Sequence, residues 1–335
     1  MTTISWIGLG NMGGPMSVNL AKAGHDVRGF DLDEQAMAAV QAQGVQTFDS
    51  LEHVLDGAQV VFTMLPKGEH SRAVYLGDSG VLALAPKDAL LIDSSTIDVE
   101  TAVDLHKAAA EAGFEFLDAP VSGGISGAAA GTLTFMVGGE SGVVEKAKQY
   151  IEPMAGRIVH TGEAGTGQAA KIVNNMMLFI SLEACGEGAV LADRLGLDPQ
   201  VFWDIASVSS GNSWALQTWY PVPDIIDSSA ANNNFKATFS AALAAKDVGL
   251  ALAAGEQTGV NLPAAELAAQ RFQQLIDEGY EDLDCSLIAK YAAPDGKIKG
   301  WNPDAPEGSS GSLLEHDHLT NGLTISEQVE RAVDL

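Results

Sequence analysis

Residues 1 to about 160 alternate between two patterns, and this alternation leaves few possible folds. Short apolar runs rich in β-forming residues are followed by stretches of helical periodicity. The pattern predicts parallel strands joined by helical crossovers, which is a doubly wound α/β sheet. The predicted strands are Ile4–Gly8, Asp26–Phe30, Val60–Met64, Leu90–Asp93, Glu115–Ala119 and Thr134–Val137, and the clearest helices are Pro15–Ala23, Asp33–Ala42 and Glu100–Ala112.

The second half of the chain has a different pattern. From Gly165 to about Ala292 strand signals vanish, and Ala- and Leu-rich segments of helical periodicity follow one another. We expect a long helix to begin near Gly162–Gly167 and to join the α/β domain to an all-α domain. The predicted division is 1–163, 164–294 and a C-terminal extension at 295–335. The extension is rich in Gly, Pro, Ser and Asp and ends in a predicted acidic helix, Thr324–Ala332.

The composition disfavours several classes of function. The chain has 46% hydrophobic and 19% charged residues, as globular proteins do, and its net charge of −26 opposes binding to nucleic acid. The N-terminal TTISWIGLG lacks the basic leader of a secretory signal, and apolar runs stay short of the roughly 18 residues of a membrane span. We therefore expect a cytoplasmic protein without nucleic-acid or membrane partners. The acidic segment Glu315–His318 is a weak metal pattern, so no metal is predicted.

A glycine-rich turn follows the first predicted strand. The segment ISWIGLGNMGGPM places Gly8, Gly10 and Gly13 in a G-x-G-x-x-G pattern that leads into a helix. The first glycine permits the tight turn, the second lets a pyrophosphate approach the backbone, and the third allows close packing of helix on strand. Asp31 ends the second strand, where a carboxylate binds ribose hydroxyls and repels a 2′-phosphate. The pattern predicts a Rossmann domain that binds NAD rather than NADP.

Several motifs together resemble the β-hydroxyacid dehydrogenases, over about residues 3 to 292. They are GLGNMGGPM, IDSSTID, DAPVSGG, AAKDVGLA and the pattern G-x-x-G-x-G-x-x-x-K-x-x-x-N from Gly162 to Asn175. The segment YPVPDIIDSSAANNNF resembles the hydroxyisobutyrate branch of that family. The resemblance implies a Rossmann domain followed by an all-α domain, and a homodimer or homotetramer assembled through the α-helical domains.

The resemblance also implies which residues contact the cofactor. They are Gly8, Leu9, Gly10, Asn11, Met12 and Gly13 of the turn, together with Asp31, Leu65, Pro66, Thr96 and Lys246. His70 occupies a position where the family often has an asparagine. A contact to NAD and a plain surface histidine are therefore both open for His70.

Lys171, Asn174 and Asn175 lie near the start of the long apolar helix. A lysine whose stem packs on apolar surface is one interpretation, but an N-terminal first turn favours anions over cations. Asn175 lies four residues after Lys171, so the two share a helix face, and the preceding glycines let another backbone or a ligand come close. A lysine with a lowered pKa can accept the proton of a hydroxyl as its carbon loses hydride. The resemblance likewise implies that Lys171 is the general acid/base, with Asn175 beside it in the catalytic group.

The predicted substrate side combines a polar loop with apolar walls. Ser122, Gly123 and Gly124 form a loop whose hydroxyl and backbone N–H groups can hold a small carboxylate. The further substrate contacts that we predict are Asn174, Asp247, Trp214 and Phe239. An apolar wall would suit a methyl branch on the substrate.

The resemblance implies NAD-dependent oxidation of 3-hydroxyisobutyrate to methylmalonate semialdehyde, a step of valine breakdown. A related enzyme acting on L-serine, tartronate semialdehyde or succinic semialdehyde remains open, because these enzymes share the pocket motifs. A non-catalytic NAD-binding module of the same fold is the alternative from another class. Retention of Lys171, Asn175 and Lys246 argues against it.

Overall fold

The computed structural model describes residues 1–304 and comprises an α/β half followed by a helical half. The predicted helix Thr324–Ala332 and the segment Glu315–His318 lie outside the described residues. Within 1–304 the strands are β1 (Thr3–Ile7), β2 (Asp26–Phe30), β3 (Gln46–Thr47), β4 (Val60–Thr63), β5 (Leu90–Asp93), β6 (Glu115–Asp118), β7 (Val121–Ser122), β8 (Leu133–Gly138) and β9 (Ala155–Gly162).

The helices follow the alternation expected from the sequence. In the α/β half they are α1 (Gly13–Lys22), α2 (Glu34–Gln41), α3 (Leu51–Leu55), α4 (Gly68–Leu76), α5 (Val81–Leu84), α6 (Val99–Glu111), α7 (Gly124–Ala130) and α8 (Ser141–Ile151). The helical half contains α9 (Thr166–Arg194), α10 (Pro199–Ala206), α11 (Trp214–Thr218), α12 (Ala241–Thr258) and α13 (Pro263–Asp277). Short 3-10 turns occupy Glu152–Met154, Ala230–Asn233 and Cys285–Ala292.

The strands form one sheet in the order β3-β2-β1-β4-β5-β6-β8-β7, with β9 alongside β8. The first six strands run parallel in the order of a Rossmann fold, which confirms the predicted fold class. The far edge departs from the all-parallel expectation, because β8 pairs antiparallel with β6 and β7. Strands β3, β7 and β9 are absent from the sequence prediction. Two of them are two-residue strands, and β9 has no fully buried position that would reveal it.

The central strands are apolar throughout because both faces of the sheet are covered. Successive side chains of a strand point to opposite faces. In β4, Val60 and Phe62 join one core cluster while Val61 joins the other, and in β5 Ile92 and Leu91 divide in the same way. This is why these two strands read as continuous apolar runs rather than as alternating ones.

Helix α9 is shared by the two halves of the molecule. It packs against β6, β8, β9 and α6 at its start and against α11, α12, α13 and the turn Cys285–Ala292 further along. By length and composition α9 could cross a membrane, with mean hydropathy 1.2 over its most apolar stretch. Its contacts with both halves are those of a core helix, since Phe179 and Leu182 are fully buried in the helical core.

The start of the extension packs on the helical half. Trp301 lies edge-on to Phe235 and Tyr280, with ring centroids 6.2 and 5.3 Å away. Asn234 pairs with both backbone groups of Asn302, accepting from its N–H at 2.7 Å and donating to its carbonyl at 3.1 Å. The chain is therefore anchored to the helical half as far as residue 302.

Candidate functional site

The glycine-rich turn has the geometry that a dinucleotide needs. Gly8 has a φ of +94°, and a Cβ there would lie 2.3 Å from the carbonyl oxygen of Met64. A Cβ on Gly13 would lie 1.9 Å from the carbonyl oxygen of Gly8, whereas Gly10 has open space around it. Within residues 1–304, no side chain caps the N-terminus of α1, and the first turn of this helix contains no acidic residue. The uncapped start of α1 is suited to a pyrophosphate, so the residues fit the cofactor.

Asp31 supports this turn through its carboxylate, and its contact to a ribose remains a prediction. Its Oδ2 accepts a hydrogen bond from Leu9 N–H at 2.6 Å, and its Oδ1 accepts from Asp33 N–H at 2.9 Å. Each carboxylate oxygen can accept a further hydrogen bond. Asp31 is half-buried, so its remaining lone pairs are open to a ligand.

Two loops at the carboxyl ends of β4 and β5 lie side by side. Leu65 N–H donates to Ser95 Oγ at 2.8 Å. Lys246 of α12 reaches both loops, with its Nζ 3.3 Å from the carbonyl oxygen of Pro66 and 3.0 Å from that of Thr96. The crevice outside these strand ends is where open α/β sheets bind their ligands. Lys246 thus connects α12 of the helical half to both predicted cofactor loops.

His70 and Asn11 stand at the surface. His70 lies in the first turn of α4 with an exposed side chain, and Asn11 is exposed in the glycine turn beside half-buried Met12. Their contact to NAD remains a prediction.

Lys171 lies in the second turn of α9 and is buried, with 8% of its surface exposed. Burial is the main cause that lowers the pKa of its ammonium from 10.5 to about 8; the carboxylate of Asp247 opposes this shift and Lys246 adds to it. Such a pKa lets a lysine both accept and donate a proton near neutral pH. The lysine expected from the sequence to act in catalysis therefore has the required electrostatic environment.

Asn175 is held by protein groups on both sides of its amide. Its Nδ2 donates to Asp247 Oδ2 at 2.6 Å, and its Oδ1 accepts from Asn174 Nδ2 at 3.1 Å. Asp247 is buried and lies 3.1 Å from Lys246 Nζ through its other oxygen. Asp247 therefore orients Asn175 and pairs with Lys246, and one N–H of the Asn175 amide remains for a ligand.

Gly165 and Gly167, which precede Lys171, allow the start of α9 to lie close to its neighbours in the protein. A Cβ on Gly167 would lie 2.5 Å from the carbonyl oxygen of Met136 and 2.6 Å from that of Asp118. Gly165 has a φ of +81° and faces Val103 of α6. The start of α9 therefore packs directly on the sheet at Gly167, while the approach of a ligand to this segment remains a prediction.

The substrate loop follows β6 closely. Ser122 lies in β7, and Gly123 and Gly124 have φ values of +139° and +66° at the start of α7. A Cβ on Gly124 would meet open space. Ser122 and Gly123 are half-buried and Gly124 is exposed, and their contact to a substrate remains a prediction.

The predicted aromatic walls belong to one cluster beside α9. Trp214 stacks edge-on with Trp219 at 5.0 Å, and Phe239 lies 5.9 Å from Trp219. Phe239 is also 5.7 Å from Phe179, which lies one helical turn after Asn175. Trp214 is 49% exposed, so it forms the solvent side of the cluster.

Two buried polar residues near the site were missed by the sequence analysis. Asp118 accepts hydrogen bonds from His106 Nε2 at 2.7 Å, from Gly165 N–H at 2.9 Å and from Gln168 N–H at 3.0 Å. It thereby caps the N-terminus of α9, where a carboxylate also stabilises the helix dipole. Gln168 is fully buried on the same turn. The sequence did contain a signal for both residues, because Asp118 begins the motif DAPVSGG and Gln168 is the polar residue before Lys171 in GTGQAAK, Gly165–Lys171. Within residues 1–304 no cluster of three or more His, Cys, Asp or Glu side chains could hold a metal ion.

Two models of known protein families match this chain, one over each half. Residues 3–162 match the model for the NAD binding domain of 6-phosphogluconate dehydrogenase. Residues 165–292 match the model for the NAD-binding region of NADP-dependent 3-hydroxyisobutyrate dehydrogenase.

Individual relatives span most of the chain. The solved structure of Mycobacterium tuberculosis 3-hydroxyisobutyrate dehydrogenase with L-serine is 47% identical, covers 88% of this chain and 99% of its own, and has a TM-score of 0.81. From Pseudomonas aeruginosa, a 3-hydroxyisobutyrate dehydrogenase is 44% identical, covering 87% of this chain and 98% of its own. An NAD-dependent L-serine dehydrogenase of the same organism is 40% identical, covering 88% and 99%. The chain therefore belongs to the β-hydroxyacid dehydrogenase family and is an NAD-binding oxidoreductase.

Proposed function

We propose that this protein oxidises 3-hydroxyisobutyrate to methylmalonate semialdehyde with NAD⁺, as a step of valine breakdown in the cytoplasm. The observation that carries the proposal is Lys171, a buried lysine with a pKa near 8 placed where the helical half meets the predicted cofactor loops. The similarity to bacterial 3-hydroxyisobutyrate dehydrogenases supports the choice of substrate.

The proposed mechanism divides the work between the cofactor and this chain. When bound, NAD⁺ accepts the hydride from the carbon that carries the hydroxyl. Neutral Lys171 accepts the hydroxyl proton at Nζ, and in the reverse direction its ammonium returns that proton to the carbonyl oxygen. Asn175, held by Asp247, offers its remaining N–H to the substrate oxygen. Ser122 and the N–H groups of Gly123 and Gly124 hold the carboxylate.

The cofactor end is formed by the glycine turn and Asp31. The backbone of Gly8 to Gly13 and the start of α1 would hold the pyrophosphate, and Asp31 would bind the adenine ribose. Leu65, Pro66 and Thr96 line the nicotinamide side in this proposal, and Lys246 fixes both loops through their carbonyl groups.

L-serine is the second substrate that a specific observation favours. The chain is 40% identical to an NAD-dependent L-serine dehydrogenase, and the M. tuberculosis relative was solved with L-serine. Serine is also a β-hydroxyacid, with an amino group where hydroxyisobutyrate has its methyl branch. The apolar cluster of Trp214, Trp219 and Phe239 favours the methyl compound, because an ammonium beside it would lose hydration.

Steady-state kinetics over a panel of substrates tests the proposal. We expect kcat/KM with NAD⁺ to be at least about tenfold higher for 3-hydroxyisobutyrate than for L-serine, because burial of a methyl group is worth roughly one such factor. The panel also contains tartronate semialdehyde and succinic semialdehyde, tested with NADH. A preparation of Lys171→Met made in the same way subtracts contaminating dehydrogenases. A higher kcat/KM for L-serine would reassign the substrate. If no hydroxyacid reacts with NAD⁺ and no semialdehyde reacts with NADH, the result would favour a non-catalytic module.

We further propose that the protein is a homodimer or homotetramer joined through its helical half. Exposed apolar side chains lie at the end of α9, on α10 and just after each of these helices: Leu191, Leu195, Val201, Ile205 and Val208. A second copy of the chain would cover these neighbouring exposed apolar side chains.

Light scattering on the purified protein checks the assembly. We expect the double variant Ile205→Glu with Val208→Glu to have the mass of a single chain, because two charges would be buried at the contact. Val260→Glu, at an exposed apolar position after α12, is the matched control and should keep the mass of the unaltered protein. A single-chain mass for the unaltered protein would refute the oligomer, and an oligomeric mass for all three proteins would place the contact elsewhere.

A further inference from the structure

Gln168 connects the helix of Lys171 to the loop that follows β5. Its side chain is fully buried and uses both ends of the amide. The Oε1 atom accepts from Ile97 N–H at 3.1 Å, and the Nε2 atom donates to the Ser95 carbonyl at 2.7 Å. The amide thus pairs with the backbone on both sides of Thr96, as a neighbouring strand would.

The loop held in this way is the one that carries the predicted cofactor contacts. Thr96 lies between the two paired residues, and its carbonyl accepts from Lys246. Ser95 accepts from Leu65 N–H through its hydroxyl and donates its own N–H to Asp93 Oδ1 at 3.0 Å. Gln168 therefore ties the loop after β5 directly to α9, and the loop after β4 follows through the bond of Leu65 to Ser95.

The other end of the connection is equally fixed. Gln168 N–H donates to buried Asp118, so its backbone is held to β6 while its side chain is held to the loop. Lys171 follows three residues later, on a neighbouring position of the same helix face. A shift of the loop relative to α9 would leave a buried amide unpaired, and such a loss costs more than the bond contributes when formed.

We propose that Gln168 is a positioning residue that sets the distance between the cofactor loops and the Nζ atom of Lys171. The inference rests on the proposed function, in which Lys171 exchanges the proton while the cofactor takes the hydride. Both transfers occur at one carbon–oxygen pair, so a misplacement of about 1 Å slows the reaction without removing any reacting group.

The variant Gln168→Met tests this role, since methionine fills nearly the same volume but makes neither hydrogen bond. We expect kcat to fall about tenfold or more while the dissociation constant for NAD⁺ changes by less than about threefold, because the glycine turn and Asp31 are untouched. The primary deuterium isotope effect on kcat should rise, since hydride transfer becomes slower relative to product release. Gln168→Glu retains the acceptor for Ile97 and serves as a second variant if the first folds poorly.

A matched control comes from Asn234, whose amide pairs with both backbone groups of Asn302 far along the chain. Asn234→Asp replaces the amide donor by a carboxylate, as Gln168→Glu does, and we expect it to lower thermal stability without changing kcat or the isotope effect. Unchanged kcat and isotope effect in both Gln168 variants would overturn the proposal. Equal loss of kcat in Asn234→Asp would overturn it as well.

Hydrogen exchange at the Ile97 amide separates this proposal from the proposed function. Measured without cofactor or substrate, exchange at Ile97 should be faster in Gln168→Met than in the unaltered protein, and unchanged in Asn234→Asp. Equal protection in all three proteins would refute the connection itself. An unaltered enzyme that oxidises no β-hydroxyacid would instead refute the proposed function and leave the exchange result intact.

Discussion

Replacing Lys171 by methionine is expected to lower kcat about 10³-fold while leaving NAD binding nearly unchanged. Loss of a positioned general acid/base costs roughly 10²- to 10⁴-fold, and no neighbouring lysine can take over, because Lys246 is held by the Pro66 and Thr96 carbonyls. Stopped-flow or steady-state kinetics, with NAD⁺ binding measured separately, checks the result. Lys107→Met, at an exposed position of α6, is the control and should retain full activity.

The same substitution should make the protein more stable. Burial holds the pKa of Lys171 near 8 in the folded state, below its ordinary 10.5, so the unfolded chain binds the extra proton between these values. Stability therefore rises with pH through this range, and below about pH 8 the protein bears the full cost of a buried ammonium. Lys171→Met removes this cost, so its Tm at pH 7 should exceed that of the unaltered enzyme. A lower Tm would mean that the lost activity reflects damaged folding.

The pH dependence of the unaltered enzyme gives the same residue a second signature. Oxidation requires neutral Lys171, so kcat/KM should rise with pH and level off above about 8. Reduction of the semialdehyde requires the ammonium and should fall over the same range. In Lys171→Met, the residual kcat/KM for oxidation should no longer rise with pH in this range. If the rise is still present in this variant, the titrating group is not Lys171.

The second large effect is expected at Asp31. Asp31→Arg should change the ratio of kcat/KM for NADP⁺ over NAD⁺ by about 100-fold or more in favour of NADP⁺, because a repelling carboxylate becomes a guanidinium that binds the 2′-phosphate. Kinetics with both cofactors at several concentrations checks the ratio. An unchanged preference would remove Asp31 from the ribose site.

Asp31→Asn separates the charge from the support that Asp31 gives to the glycine turn. The amide keeps an oxygen that can accept from Leu9 N–H but has no negative charge. We expect it to bind both cofactors, with a preference between those of the unaltered enzyme and Asp31→Arg. If Asp31→Asn loses both cofactors equally, Asp31 acts through the turn and not through the ribose.

The sequence predicted the elements whose information is local. Val60–Thr63 and Leu90–Asp93 are buried on both faces, so their apolar runs were recognisable as strands, and the turn of Gly8 to Gly13 carries its own geometry. Strand β9 was missed because its side chains are half-buried or exposed, and its place in the sheet depends on pairing with β8.

The contacts that hold the candidate site residues together were not predicted from the sequence. Lys171 and Asn175 share a helix face by spacing alone, whereas the bond of Asn175 to Asp247 spans 72 residues of sequence. Gln168 and Ser95 are 73 residues apart, and Asp118 and Gln168 are 50 apart. Such contacts are made by tertiary packing, and a single sequence contains no pattern that encodes them.

The cap that Asp118 places on α9 bears on how enzymes of this architecture can be recombined. The predicted boundary after residue 163 would be the natural junction for exchanging the cofactor half between relatives. Yet the N–H groups of Gly165 and Gln168, which follow that junction, are bonded to Asp118, which precedes it. The side chain of Gln168 is likewise bonded to Ser95 across the junction. A chimaera joined there takes the two partners of each bond from different parents. A crossover placed beyond Lys171 keeps the first turns of α9 with the sheet on which they are built.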